Sequence, residues 1–219
     1  NGGKVKEERI NDAVRRILRV KFALNLFEHP TTNPKDYPEF GSEAFEKAAY
    51  HTAAESITLL KNEENILPLK KNTKILVTGP NANTMRTLNG AWTYSWQGEK
   101  TPEYAQEYNT IFEALQQKGK KNNITYVPGV SYKMDGKYYE QATDQLEKAV
   151  AEAKKADVVI LCLGENTYTE KPGDLNDLYL NEHQIALAKK VAATGTPVIL
   201  VLNEGRPRII SQIEPAMQA

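Results

Sequence analysis

Two glutamates set five positions apart, Glu165 and Glu170, stand just beyond the apolar run Val158-Val159-Ile160-Leu161-Cys162-Leu163. A carboxyl group at a strand end, partly desolvated, can keep its proton at neutral pH and act as a general acid/base. The same residues also suit solvated loop acids or helix-capping partners, and position alone leaves both readings open. Asp174 and Asn176, after Gly173, have the types that hold a turn in shape. Trp92 and Trp96, with Tyr94 between them, lie in Asn89-Gly90-Ala91-Trp92-Thr93-Tyr94-Ser95-Trp96-Gln97-Gly98 rather than in an apolar run. Aromatic faces in polar loops suit flat ligands such as the apolar faces of sugar rings. Packing into a core or lid is the competing role.

Other residues carry weaker chemistry. Arg206, in Gly205-Arg206-Pro207, could meet an anion but more simply forms a salt bridge that anchors its loop. The loop Val77-Thr78-Gly79-Pro80-Asn81-Ala82-Asn83 lacks the glycine spacing of a nucleotide cradle, and Pro80 removes a backbone donor. Cys162 reads as a small core side chain. His29, His51 and His183 are too scattered for a metal site, and neither metal nor organic cofactor is called for. Asn123-Ile124-Thr125 matches a glycosylation acceptor, meaningful only in a eukaryotic secretory setting.

The elements that must position these groups follow from periodicity. An unbroken β-branched run reads as a strand buried on both faces of a parallel sheet, and ligands of such sheets bind beyond the strands' carboxyl ends. Strands are expected at 74–80, 124–127, 158–163 and 197–202, with helices at 110–118, 141–155 and 182–192 between them. The segment from Tyr132 to Asp135 is ambiguous. Alternation of strand and helix gives an α/β class, a layered α/β sandwich with a mainly parallel sheet and right-handed crossovers.

Upstream, Ile10, Val14, Ile17, Leu18, Phe22 and Leu26 have helical spacing, and their apolar stripe has no local partner. Three prolines in His29-Pro30-Thr31-Thr32-Asn33-Pro34-Lys35-Asp36-Tyr37-Pro38 mark a linker. Ser42 opens a helix expected to run to about Lys61. The divisions are thus 1–28, 29–41 and 42–219. The start at Asn1-Gly2-Gly3 and the end at Pro215-Ala216-Met217-Gln218-Ala219 read as those of a fragment.

Charge bounds the partners. With 28 basic and 28 acidic residues the formal net charge is zero, so neither nucleic acid nor an anionic membrane surface is an expected partner. The cluster Lys118-Gly119-Lys120-Lys121 reads as solvated loop. No apolar run approaches the ~20 residues that span a bilayer. No signal peptide opens the sequence. One cysteine excludes an internal disulfide.

Four segments together resemble glycoside hydrolase family three, the family of many β-glucosidases and exo-β-glucanases. Asn11 to Phe22 and the trailing Leu24-Asn25-Leu26-Phe27-Glu28 look like the last helix and exit of its (β/α)8 barrel. Ala53-Ala54-Glu55-Ser56-Ile57-Thr58-Leu59-Leu60-Lys61-Asn62 with Leu67-Pro68-Leu69 resembles the opening of its α/β-sandwich domain. Gly90 to Gly98 is similar to the segment that lends a tryptophan to the sugar site. Gly164-Glu165 through Tyr168-Thr169-Glu170 to Gly173-Asp174 looks like the acid/base loop.

The resemblance implies a retaining β-glucosidase or exo-β-glucanase acting on a β-glucoside or β-glucan oligosaccharide. The nucleophile is then an aspartate on an upstream barrel domain, which is not in this chain, so the chain alone is expected to be inactive. Glu170 becomes the acid/base, with Glu165 as the alternative. Trp96 stacks on the sugar beyond the cleaved bond, and Trp92 lies beside it or supports it. The resemblance also admits a β-xylosidase, or a sugar-binding or structural domain without catalysis. It disfavours a β-N-acetylhexosaminidase, which often lacks such a glutamate loop. Its glucan-degrading roles imply a periplasmic or secreted location.

Overall fold

The structure is a computed structural model describing residues 2–133 and 136–219. The backbone divides into two units, residues 1–58 and 59–219. The helix that follows residue 42 falls in the first of these units.

The first unit holds helix α1 (Glu7–Ala23) and helix α2 (Glu43–Ser56). Glu7 and Glu8 in the first turn and Lys21 in the last suit the helix dipole of α1. Its apolar residues Val14, Ile17 and Phe22 are exposed. Ser42 caps α2, its hydroxyl accepting from the Phe45 amide at 3.3 Å. The helix stops at Ser56 rather than Lys61, because Ile57 turns extended (φ −70°, ψ 120°). Ile57 and Thr58 are β-branched and stiff at χ1, so they resist a further helical turn.

The second unit is built on a parallel sheet. Its strands are β1 (Ile75–Thr78), β2 (Ile124–Tyr126), β5 (Val158–Gly164) and β6 (Val198–Asn203), ordered β2-β1-β5-β6. All three pairings are parallel, with Val77 beside Ile160 and Leu161 beside Leu200. Every residue of β5 is buried, as a central strand covered on both faces requires. A short antiparallel ribbon, β3 (Ser131–Tyr132) with β4 (Gln141–Ala142), lies outside this sheet.

Helices α3 (Thr101–Tyr104), α4 (Ile111–Lys118), α5 (Leu146–Ala153) and α6 (Glu182–Ala192) complete the unit. Thr110 and Glu113 form a capping box that starts α4. One core joins Leu76, Val159, Leu161 and Leu163 to Ala149 and Ala153 of α5 and Leu187 and Val191 of α6. A second packs Val77, Ile160 and Cys162 against Ile111, Phe112 and Leu115 of α4. Cys162 is wholly buried, and burial pushes its thiol up to about 12.

The helix expected at 141–155 is shorter. Gln141 and Ala142 pair as strand, and Gln145 adopts a left-handed conformation (φ 63°) before α5 begins. A side chain in that region cannot continue a helix. Within the ambiguous 132–135 stretch, Tyr132 is strand, whereas Met134 and Asp135 lie outside the described residues. At the open edge of β6, the Gln218 amide donates to Val198 and the Leu200 amide to Ala219.

Candidate active site

The site is the loop that leaves β5. Gly164 ends the strand with φ 141°, and a Cβ there would come within 1.9 Å of the Asn203 carbonyl oxygen. No side chain fits, so glycine lets β5 and β6 stay close where their chains diverge. Gln184 of α6 holds this point: its side-chain carbonyl accepts from the Gly164 amide and its NH2 donates to the Gly164 carbonyl, both at 2.9 Å. Asn81, after β1, donates to the Glu165 carbonyl (3.3 Å) and the Asn203 carbonyl (3.2 Å), and accepts from Tyr132 at 2.8 Å. Its amide is thus committed to the sheet's end.

Glu165 and Glu170 have opposite environments. The Glu165 side chain is 3% exposed. Its Oε2 accepts from the amides of Gly205 (3.1 Å) and Arg206 (3.0 Å) and from the Tyr168 hydroxyl (3.1 Å). Its Oε1 meets the Arg206 guanidinium at 3.2 Å and that of Arg208 at 3.6 Å. A carboxylate with both oxygens taken by fixed donors has little capacity left for a reacting group. Burial pushes the Tyr168 phenol up to about 12, and the Glu165 charge adds to this. The phenol therefore stays protonated and donating. Nearby, burial raises the carboxyl of Glu204, reinforced by the Glu165 charge and opposed by the Arg208 amide.

Glu170 is exposed, at the far side of the same loop. Its backbone has φ 55° and ψ −153°, a region that non-glycine residues rarely occupy. The loop is held on both sides of it. Before it, Gln97 pairs with Thr169: the Thr169 amide donates to Oε1 (3.0 Å), and Nε2 donates to the Thr169 carbonyl (3.2 Å). After it, the Gly173 amide donates to the Glu170 carbonyl at 2.9 Å. Arg206 donates to the Gly173 carbonyl at 2.7 Å, and its guanidinium lies 3.9 Å from the Tyr168 ring centroid. Arg206 thus joins the two ends of the loop, in keeping with the anchoring salt bridge expected of it.

The tryptophan segment forms the neighbouring wall. Trp92 is 67% and Trp96 44% exposed, so neither is core. Trp92 (φ 63°) and Tyr94 (φ 61°) hold strained conformations, and the Trp92 amide donates to the Trp96 carbonyl at 3.0 Å. Tyr94 stacks on Tyr104 with centroids 5.3 Å apart. Arg86 donates to the Thr167 hydroxyl at 2.9 Å, and that hydroxyl donates to the Gln97 carbonyl. The two segments singled out in the sequence are therefore laced together through Gln97, Thr167 and Thr169. Asp174 has no part in these contacts beyond its amide, which donates to Lys171. The Asn123 side-chain NH2, in the acceptor motif, donates to the Asn72 carbonyl at 2.8 Å.

Sequence reasoning missed Gln97, Asn81 and Gln184 as positioning groups. Gln184 carried a signal: it shares a helical face with Leu187, Ala188 and Val191, and it alone is polar there. Gln97 carried none, since a glutamine after a tryptophan reads as ordinary loop.

A lysosomal β-glucosidase from Dictyostelium discoideum is 39% identical over 214 residues, covering 95% of this chain and 26% of its own. A β-xylosidase from Formosa agariphila is 32% identical over 209 residues, covering 93% of this chain and 28% of its own. A mutant β-glucosidase from Listeria innocua, solved in complex with laminaribiose, superposes with a TM-score of 0.77 at 27% identity. That match covers 99% of this chain and 28% of the solved one. The chain thus spans just over a quarter of the length of these relatives. Residues 57–219 match the glycosyl hydrolase family 3 C-terminal domain, and the chain belongs to that family.

Proposed function

We propose that the full-length protein carrying this chain is a retaining β-glucosidase or exo-β-glucanase that removes terminal β-D-glucosyl residues. The observation that carries the reading is the contrast between the two loop carboxylates. Glu165 is buried and bound on both oxygens, whereas Glu170 is exposed on a backbone held in a strained conformation from both sides. In this reading Glu165 builds the loop and Glu170 does the chemistry.

An aspartate on an upstream barrel domain attacks the anomeric carbon while Glu170 protonates the departing glycosidic oxygen, roughly 5–5.5 Å separating the two carboxyl groups. Glu170, now a carboxylate, then takes a proton from the water that releases the sugar. Trp96, with Trp92 beside it, offers an exposed aromatic face to the sugar on the leaving side. Residues 1–28 are the last helix of that barrel, 29–41 the linker and 42–219 the sandwich domain. The exposed apolar stripe of α1 supports this assignment, since such a face needs a partner. A periplasmic or secreted location suits a glucan-degrading role.

A second reading, β-xylosidase activity, is favoured by the Formosa relative. Turnover of aryl β-glucoside and aryl β-xyloside by the full-length protein, with the released anomer followed by NMR, separates the two. Glucoside preference with first release of the β-anomer is expected. Preference for the xyloside, or first release of the α-anomer, would overturn the proposal.

A further inference from the structure

The Gln97 backbone is held from its own segment and from Thr167 of the acid/base loop. Its amide donates to Glu99 at 3.0 Å, and its carbonyl accepts from the Thr167 hydroxyl and, at 3.5 Å, from Arg86. With the backbone held at both polar atoms, the side-chain amide has a defined direction. That amide satisfies both backbone groups of Thr169, as an adjacent strand would. Glu170 is the next residue, and its φ of 55° is not one that a free loop keeps. Trp96 is the residue on the other side of the pair. The aromatic platform and the exposed carboxyl group are each one peptide bond from the same two hydrogen bonds.

We propose that Gln97 is a positioning residue for proton transfer, setting the Glu170 carboxyl relative to the leaving oxygen and tying it to the Trp96 platform. The inference rests on the reading of Glu170 as acid/base. A displacement of about 1 Å in a catalytic group costs on the order of 100-fold in rate. The loss falls on substrates whose leaving group needs a proton.

The test is made in the full-length protein, with Gln97→Met removing both bonds at nearly constant shape. Gln97→Glu keeps the acceptor for the Thr169 amide and sets a carboxylate against the Thr169 carbonyl. Gln117→Met, on an exposed face of α4, serves as the control. For Gln97→Met, kcat/KM on cellobiose should fall about 10- to 100-fold, and on 2,4-dinitrophenyl β-glucoside by less than about threefold. Gln97→Glu should show the same split, and it carries the test if the methionine variant does not fold. Equal losses on both substrates, or no loss on either, would overturn the proposal. Glu170→Ala is run alongside with azide and the dinitrophenyl substrate. If azide does not rescue it, the acid/base reading itself has failed and the Gln97 inference falls with it. Rescue combined with an unsplit Gln97→Met loss sinks the positioning role alone.

Discussion

The Arg206 guanidinium lies 3.2 Å from the buried carboxylate of Glu165, and the same group donates to the Gly173 carbonyl at 2.7 Å. One side chain therefore ties the first residue after β5 to the far end of the loop that carries Glu170. Removing the Arg206 side chain takes one charge-assisted bond from Glu165, which keeps Arg208, two backbone amides and the Tyr168 hydroxyl. Arg206→Ala should lower stability by about 2 kcal/mol, the worth of a hydrogen bond to a charged group. Arg206→Lys should recover part of this, since lysine keeps the charge but not the fork that reaches both partners. Urea denaturation of the three proteins measures this, and a cost below about 1 kcal/mol for Arg206→Ala would show that the pair is not what closes the loop.

Glu170 sits in strained backbone (φ 55°, ψ −153°), with no side-chain hydrogen bond to offset it among those described. Strain of that kind costs on the order of 1–3 kcal/mol, part of which glycine's chain entropy returns. Glu170→Gly should thus raise stability by about 1 kcal/mol while abolishing hydrolysis of cellobiose. A thermal shift assay beside an activity assay reads both. A variant that is less stable than the parent would count against stored strain.

Tyr168 gives the pH dependence. Its phenol ordinarily titrates at 10.0, and in the fold burial and the Glu165 charge push it up to about 12. The unfolded chain therefore loses this proton near pH 10 while the folded state still holds it. The Tyr168 contribution to stability is fully present below pH 10 and is lost as pH rises towards 12. Tyr168→Phe should be less stable at pH 7 by about 1.5–3 kcal/mol, the worth of a hydrogen bond to a charged group. The gap should narrow in denaturation at pH 11, and a gap unchanged between the two pH values would contradict the assignment.

The sheet was legible because its strands are short apolar runs, Val158 to Leu163 above all, which a helix of that length would not give. The loop after β5 was legible as a candidate acid/base loop only by its resemblance to a family pattern, and residue types alone left Glu165 and Glu170 equivalent. What separates them is the fold: the amides of Gly205 and Arg206, 40 residues downstream or more, arrive at Glu165 and not at Glu170. The β3–β4 ribbon was hidden for a similar reason. Gln141 and Ala142 fit the amphipathic pattern of the following helix, and only the left-handed Gln145 cuts them off from it. Gln97 shows the limit most plainly, since what distinguishes it is two hydrogen bonds to the backbone of a residue 72 positions away.

The central claim, that Glu170 rather than Glu165 transfers the proton, is tested most directly in the full-length protein. Glu170→Ala and Glu165→Ala are compared on cellobiose and on an aryl β-glucoside, with and without azide. An activated aryl leaving group needs little protonation, and azide attacks the glycosyl-enzyme without base assistance. Glu170→Ala should lose cellobiose turnover, keep much of its first step on the aryl substrate and be rescued by azide. Glu165→Ala should lose stability and be rescued on neither substrate. Azide rescue of Glu165→Ala, with Glu170→Ala behaving like the parent, would contradict it.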